Sequence, residues 1–332
     1  MGIKYIGDSN QLAFQFESGT YGILAGSATN SCGSNFQWIG LVQDHTPDEG
    51  AGVESIRFQG NYNRNIGLFT DGQLEYGGTF NFYPQDWKFL GFAIGSTQNI
   101  NGSHIITEAN SDTANYAIPA QSLSSFTLRD AKRATIADVG SNFIRTFKGC
   151  MVDTMNVTMS EGEIVTCEVG YKAQSVDFTS GTIAAIGSRI IKPYMWSNIS
   201  VHLPSGTKLT NCTDFSLSIN NNLDSRFPLN GSRTIETLIP LNRDYEVSAT
   251  FLMDSSNAKT LYDQYYIGGS SFNSMVELKA VAGSAYFMLS GCRITDMEVP
   301  SPVEGLHEQT CTIMPTNVNV NVYDAIGSYN AW

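Results

Sequence analysis

The sequence predicts a mainly β fold made of two similar β-sandwich units in tandem, each with one short flanking helix. Three observations lead there. Of the 332 residues only 15% are charged, 42% are hydrophobic and 11% aromatic, with 31 glycines. That balance suits short strands and turns better than long Glu- and Lys-rich surface helices. Polar and apolar residues alternate in several runs, most cleanly in Thr79-Phe80-Asn81-Phe82-Tyr83. Finally, one stretch occurs twice. Gly149-Cys150-Met151-Val152-Asp153-Thr154-Met155-Asn156-Val157, followed by Glu161-Gly162 and Thr166-Cys167, matches Gly291-Cys292-Arg293-Ile294-Thr295-Asp296-Met297-Glu298-Val299, followed by Glu304-Gly305 and Thr310-Cys311. The second Cys falls two residues later in the second copy, which a slip in a loop explains. A weaker match upstream relates Ile56-Arg57-Phe58-Gln59-Gly60-Asn61-Tyr62-Asn63 to Leu217-Ser218-Ile219-Asn220-Asn221-Asn222-Leu223. Two like units in one chain make closed rings or filaments geometrically easy.

In chain order, residues 1–36 are rich in Gly, Ser and Asn and read as an irregular N-terminal arm with one or two short strands, outside the core and free to reach a neighbour. The first unit spans 37–180, with strands expected over Phe36–Val42, Val53–Gln59 and Gln73–Tyr83. Pro84 opens a short helical pattern through Trp87 and Leu90, and Ser255 to Tyr266 is its counterpart. Residues 95–130 are polar and strand-poor and read as an outward insertion. A linker is expected at 181–195, and the second unit over 196–332.

The formal charge is −12, and Lys and Arg never cluster, so no electrostatic footprint for nucleic acid or anionic lipid is present. No run approaches the ~20 apolar residues of a membrane span, and the first thirty residues lack the apolar core of a secretory leader, so neither membrane insertion nor leader-dependent secretion is expected. The six cysteines contain no Cys-x-x-Cys. Cys150 with Cys167, and Cys292 with Cys311, each flank a segment of hairpin length. They are either disulfides or buried thiols. The five Asn-x-Ser/Thr sequons, at Asn101, Asn156, Asn198, Asn211 and Asn230, are expected from composition alone.

No enzymatic activity, metal or cofactor is expected. His45, His104, His202 and His307 are isolated and read as loop residues, and no nucleophile elbow, phosphate-cradling loop or dinucleotide fingerprint occurs. The acidic pair Asp48-Glu49 reads as a solvated turn.

The run Asp214-Phe215-Ser216-Leu217-Ser218-Ile219-Asn220-Asn221-Asn222-Leu223, the loop ending Gly231-Ser232-Arg233, the alternating Tyr245-Glu246-Val247-Ser248-Ala249-Thr250-Phe251, the helix and the Gly-Cys hairpin together resemble the tail tube (major tail) proteins of tailed bacterial and archaeal viruses. The resemblance covers 196–325 well and 37–178 more loosely. It implies β-sandwiches whose inner sheets join into a tube-lining β-barrel, with three duplicated chains forming each pseudo-sixfold ring. Stacked rings would form a conduit for the viral genome in the virion tail, the chain being made in the host cytoplasm. Implied partners are further copies, the tape measure, terminator and distal tail or baseplate proteins, and DNA that passes without specific binding. The inner tube of a contractile injection apparatus shares this fold. An extracellular β-sandwich binding or surface-layer protein is the alternative from another class, and a carbohydrate-active sandwich ranks last, since Trp38, Trp87, Trp196 and Trp332 are scattered.

The same resemblance places ring-to-ring contact in the loops near 60–72 and 220–232, with Asn61, Arg64, Asn65 and Phe69, and Asn222, Arg226, Phe227 and Arg233 as candidates. The alternative for these loops is a plain surface hairpin. Strands Gln73–Tyr83 and Arg243–Leu252 would line the bore, with Glu75, Glu236 and Glu246 as its charged residues.

Overall fold

The computed structural model describes residues 10–17, 36–50, 52–57, 66–100, 103–108, 123–134, 142–181, 183, 192–204, 206, 208–253, 258–266, 271–280, 283–300, 304 and 306–324. The fold is mainly β. The first half runs β1 (Gln11–Phe16), β2 (Gln37–Trp38), β3 (Leu41–Glu49), β4 (Val53–Ile56), β5 (Leu68–Asp71), β6 (Tyr76–Tyr83), α1 (Leu90–Ile94), β7 (Gly95–Ile100), β8 (Ser103–Glu108), β9 (Phe126–Lys132), β10 (Phe143–Ser160), β11 (Thr166–Ala173) and β12 (Ser175–Thr179). The second half runs β13 (Ile199–His202), β14 (Lys208–Leu209), β15 (Cys212–Asn220), β16 (Leu223–Arg226), β17 (Thr237–Pro240), β18 (Asp244–Leu252), α2 (Ala258–Tyr266), β19 (Phe272–Ala280), β20 (Gly283–Glu298), β21 (Glu308–Met314) and β22 (Asn317–Asp324).

One long antiparallel sheet crosses both halves in the order β3-β6-β11-β10-β15-β18-β21-β20. The N-terminal parts of β10 and β20 leave this sheet to build two further ones, β2-β1-β9-β10-β12 and β14-β13-β19-β20-β22. Strict alternation explains the layering. Phe215, Leu217 and Ile219 on β15, and Tyr245, Val247, Ala249 and Phe251 on β18, are buried, while the residues between them face outward. Burying each such aliphatic or aromatic side chain contributes about 1.5–3 kcal/mol. The buried faces meet in one core that draws on both halves, and Trp87 of the first half sits edge-on to Phe287 of the second at 4.9 Å.

The pairings of the first half recur in the second, down to the irregularities. The β10–β11 pair is bulged between Val152 and Thr154, and the β20–β21 pair between Ile294 and Asp296. The β3–β6 pair is bulged between Val42 and Asp44, and the β15–β18 pair between Cys212 and Asp214. A bulge reverses side-chain parity, so matching bulges keep the same faces inward in both halves.

Several expectations from sequence require correction. Residues 11–16 are core rather than arm: β1 pairs with β9 along its length and buries Leu12, Ala13 and Phe14. The span 95–130 is not strand-poor. Its described residues hold the β7–β8 hairpin and most of β9: β8 pairs with β22 of the second half, β9 with β1 and β10 of the first, and residues 109–122 lie outside the described residues. Its polarity hid the strands because Thr127, Arg129 and Asp130 are buried with partners inside the sheet. His45, His104 and His202 stand in strands, not loops. Part of the linker is pinned: Ile164 bridges Met195, and Tyr194 packs on Trp87 at 5.5 Å.

The five cysteines among the described residues are free thiols. Cys167 lies opposite Val157, and Cys311 opposite Met297, so neither faces the first cysteine of its hairpin. The hairpins are simply longer than the spacing implied, and the two-residue offset reflects different positions on equivalent strands. Burial pushes the Cys311 thiol up to about 12 and Cys292 to about 11, which keeps both protonated and inert.

Candidate assembly surface

The outward face of the long sheet is continuous across the two halves. Paired residues place Asp44, Asn81, Glu168, Asn156, Ser218 and Glu246 in one row. A second row runs Thr158, Ser216, Ser248, Thr312, Asp296, and a third Ser160, Asp214, Thr250, Thr310, Glu298. The face is therefore hydroxyl-rich and acidic. By the same parity its bases are Lys172 and Arg293, each opposite a methionine, Met151 or Met314, at one end of the strands. Lys172 is held by Asp153 at 3.3 Å and the Leu223 carbonyl at 2.7 Å. Such a surface repels a polyanion and offers it few cationic holds.

The halves join through β10 and β15, with Thr154 opposite Asn220, Asn156 opposite Ser218 and Ser160 opposite Asp214. Asn221, buried at the end of this joint, locks it. Its Nδ2 donates to the Ala93 carbonyl of α1 at 3.1 Å and to Val152 at 3.0 Å, while its Oδ1 accepts from Arg243 Nε at 2.7 Å. The two outer strands of the sheet, β3 and the C-terminal part of β20, pair on one side only among the described residues. Among the described residues these are the open edges of the sheet.

Two hairpins stand beside each other at one end of the sheet. β4–β5 is exposed along both strands and presents Val53, Ile56, Leu68 and Phe69 to solvent. β16–β17 is anchored through Leu223, Ile235 and Leu238 with Phe227 packed against them, and Leu229 at its tip is fully exposed. Arg233 ties the hairpins together, donating from Nε to the Gly72 carbonyl at 2.8 Å and pairing with Asp71 at 3.2 Å.

Of the loop residues expected from sequence, Phe69 is exposed on β5, and Asn61, Arg64 and Asn65 lie outside the described residues. The others have internal partners. Asn222, with φ 47°, donates to the Asn242 carbonyl and Asp244 Oδ2, both at 2.8 Å, and Arg226 pairs with Asp224 at 2.5 Å. Leu229 was not singled out because a lone apolar residue in a polar loop carries no periodicity, and the β4 side chains because a strand expected over Val53–Gln59 gives no sign that both its faces are exposed. Glu246 stands on the outward face of β18, and Glu75, just before β6, is exposed at the place that Asp244 occupies in the second half. Glu236 belongs to the β16–β17 hairpin, where Asn230 Nδ2 donates to its Oε2 at 3.0 Å.

Beneath β3 lies a charged cluster. Arg145 pairs with Asp130 and, at 3.0 Å, with Glu49, while His45 lies 3.5 Å from Asp130 and its Nε2 is 2.9 Å from the Tyr171 hydroxyl. Burial opposes ionisation of Asp130, yet the His45 and Arg145 contacts outweigh it and hold the carboxyl below its ordinary value. The matching positions in the second half, Phe215, Val276, Phe287, Ile219 and Ile313, are all apolar. Among the described residues no three His, Cys, Asp or Glu side chains group as metal ligands.

An extended sheet with one polar acidic face and two open edges is the architecture of a β-rich assembly subunit. The family model described as phage tail tube protein matches residues 12–321, and the chain belongs to that family. No curated protein matches it. Family membership makes it a structural component of a virion tail that associates with itself and with other tail proteins. No helix among the described residues is long and apolar enough to cross a membrane.

Proposed function

We propose that the chain is a tandem duplication of one tube-forming β-sandwich, and that three copies close into a pseudo-sixfold ring whose stacked repeats form the conduit for genome delivery. The β10–β15 joint carries this reading. By the recurrence of pairings, β20 matches β10 and β3 matches β15, so the open β20 edge of one copy fits the open β3 edge of the next as β10 fits β15. Closure of that kind leaves no sheet edge exposed and turns the outward faces into a barrel lining.

The acidic, hydroxyl-rich face would then line the bore, where repulsion keeps DNA sliding rather than bound. The β4–β5 and β16–β17 hairpins project together from one end, as ring-to-ring contacts require. Tape measure, terminator and distal tail proteins are the proposed further partners, with synthesis in the host cytoplasm. The function is structural, without catalysis or cofactor. Negative-stain microscopy of the purified chain tests the reading: stacked rings with a central hole support it, and compact monomers at all concentrations and salts refute it.

A further inference from the structure

We infer that the strand joint between neighbouring copies is charge-gated, its acidic side chains holding copies apart until salt screens them. This rests on the ring reading and concerns how that ring is regulated. Within the chain, the joint pairs no two charges on its outward face, with Asn156 opposite Ser218, Thr158 opposite Ser216 and its one acid, Asp214, opposite Ser160, and it is apolar inward, with Met155 opposite Ile219 and Val157 opposite Leu217. Transferring the same register to the joint between copies places Glu298 opposite Asp48, Met297 opposite Glu49 and Val299 opposite Pro47.

Two carboxylates thus meet directly where the internal joint has an amide and a hydroxyl, and like charges directly opposite oppose strand pairing. Among the described residues the surrounding groups do not cancel them. Asp48 faces Gly77 on β6, beyond which Lys172 on β11 is engaged by Asp153. Glu298 faces Thr310 on β21, beside Glu308, and shares β20 with Asp296 and, at the far end of that segment, Arg293. On β3, Asp44 adds outward charge, His45 and Glu49 point into the cluster around Asp130, and Arg145 is taken up by Glu49 and Asp130. Pro47 adds a second restraint. Gly50 N donates to Glu75 O across the β3–β6 pair, so by alternation the backbone N of residue 47 faces the open edge, where proline has no hydrogen to offer. Inward charge and an edge proline are devices that block indiscriminate pairing. The matching strand β15 is never an edge and carries Phe215, Leu217 and Ile219 instead.

The test compares full-length wild type with Asp48→Asn/Glu298→Gln and with Glu298→Lys, measuring critical concentration for assembly by sedimentation and microscopy from ~20 to ~500 mM NaCl. Wild type should assemble about five- to tenfold more readily at the high end, and the neutral pair should assemble at low salt with little further dependence. Glu298→Lys, which leaves an exposed strand end and creates an opposite-charge pair, should assemble best at low salt. Identical salt dependence in all three, with rings present, overturns the gate and leaves the ring intact. Absence of rings from every protein at every salt overturns the ring and the gate together.

Discussion

Gly149 and Gly291 adopt the same left-handed backbone, φ 62° and 61°, each immediately before the cysteine of the longest strand in its half. At this point each strand passes from one sheet to another: β10 leaves β9 and β12 for β11, and β20 leaves β19 and β22 for β21. A residue with a Cβ resists that conformation. The duplicated Gly-Cys pair visible in the sequence is therefore a pair of sheet-switching corners.

Gly291→Ala should destabilise the protein by about 2–4 kcal/mol, since backbone strain adds to a Cβ placed 2.2 Å from Thr316 Oγ1. Adding Thr316→Ala should recover part of the loss, because the clash and the hydroxyl are coupled. Chemical denaturation of the two variants measures both effects.

Asn221→Ala should cost about 2–4 kcal/mol and lower the Tm by about 5–10 °C, as it strands the Ala93 and Val152 carbonyls and Arg243 Nε in a buried junction. Asn221→Asp should do no better, because a carboxylate cannot donate to the two carbonyls. Differential scanning calorimetry reads both variants.

Much of this was legible in the sequence, and the reasons differ by element. Alternation in Thr79–Tyr83 and Tyr245–Phe251 identified β6 and β18 because each buries one face and exposes the other. β9 escaped because its polar residues are buried with partners, so polarity no longer reports exposure. The placing of residues 1–36 outside the core failed at β1 and the residue after it, where Gln15 and Glu17 are buried in a run that looks amphipathic only locally. Glu17 accepts from Ser125, Thr127 and the Gly149 amide, partners far away in the chain. Of the loops near 60–72 and 220–232, residues 60–65 lie outside the described residues, and Asn222, Arg226 and Arg233 serve internal contacts that no spacing rule reveals. The charged cluster beneath β3 was invisible for the same reason: its members come from four separate strands.

Asp130→Asn should destabilise the protein at neutral pH by about 2–4 kcal/mol, because Arg145 and His45 lose a buried charge partner. The Asp130 carboxyl is depressed in the folded state, so its contribution is fully present above the unfolded value of about 3.9 and is lost as pH falls through the lower folded value. The gap between wild type and variant should therefore close only in strong acid, below about pH 4, in urea denaturation across pH.

Phe69→Ser and Leu229→Ser should leave stability within about 0.5 kcal/mol, since both side chains are solvent-exposed in the single chain. Ring stacking should weaken, and more so in the double variant. Sedimentation measures polymer length, and thermal melts confirm that the fold is retained. Tubes of normal length would remove these hairpin tips from the stacking contact.

Ser216→Lys/Ser218→Lys places two ammonium groups on the outward face of β15, beside Asp214 and Glu246. Wild-type tubes should show no DNA retention at ~150 mM salt, and the variant should bind DNA with an affinity that falls steeply as salt rises. Retention assays with double-stranded DNA at two salt concentrations distinguish the outcomes.

The most direct measurement is electron cryomicroscopy of assembled material at a resolution that separates strands. Three copies should meet through β20 and β3, with Glu298 beside Asp48, and the face bearing Glu168, Asn156, Ser218 and Glu246 should line a continuous bore. A subunit whose β3 and β20 edges remain unpaired, or whose acidic face points away from the lumen, would contradict it.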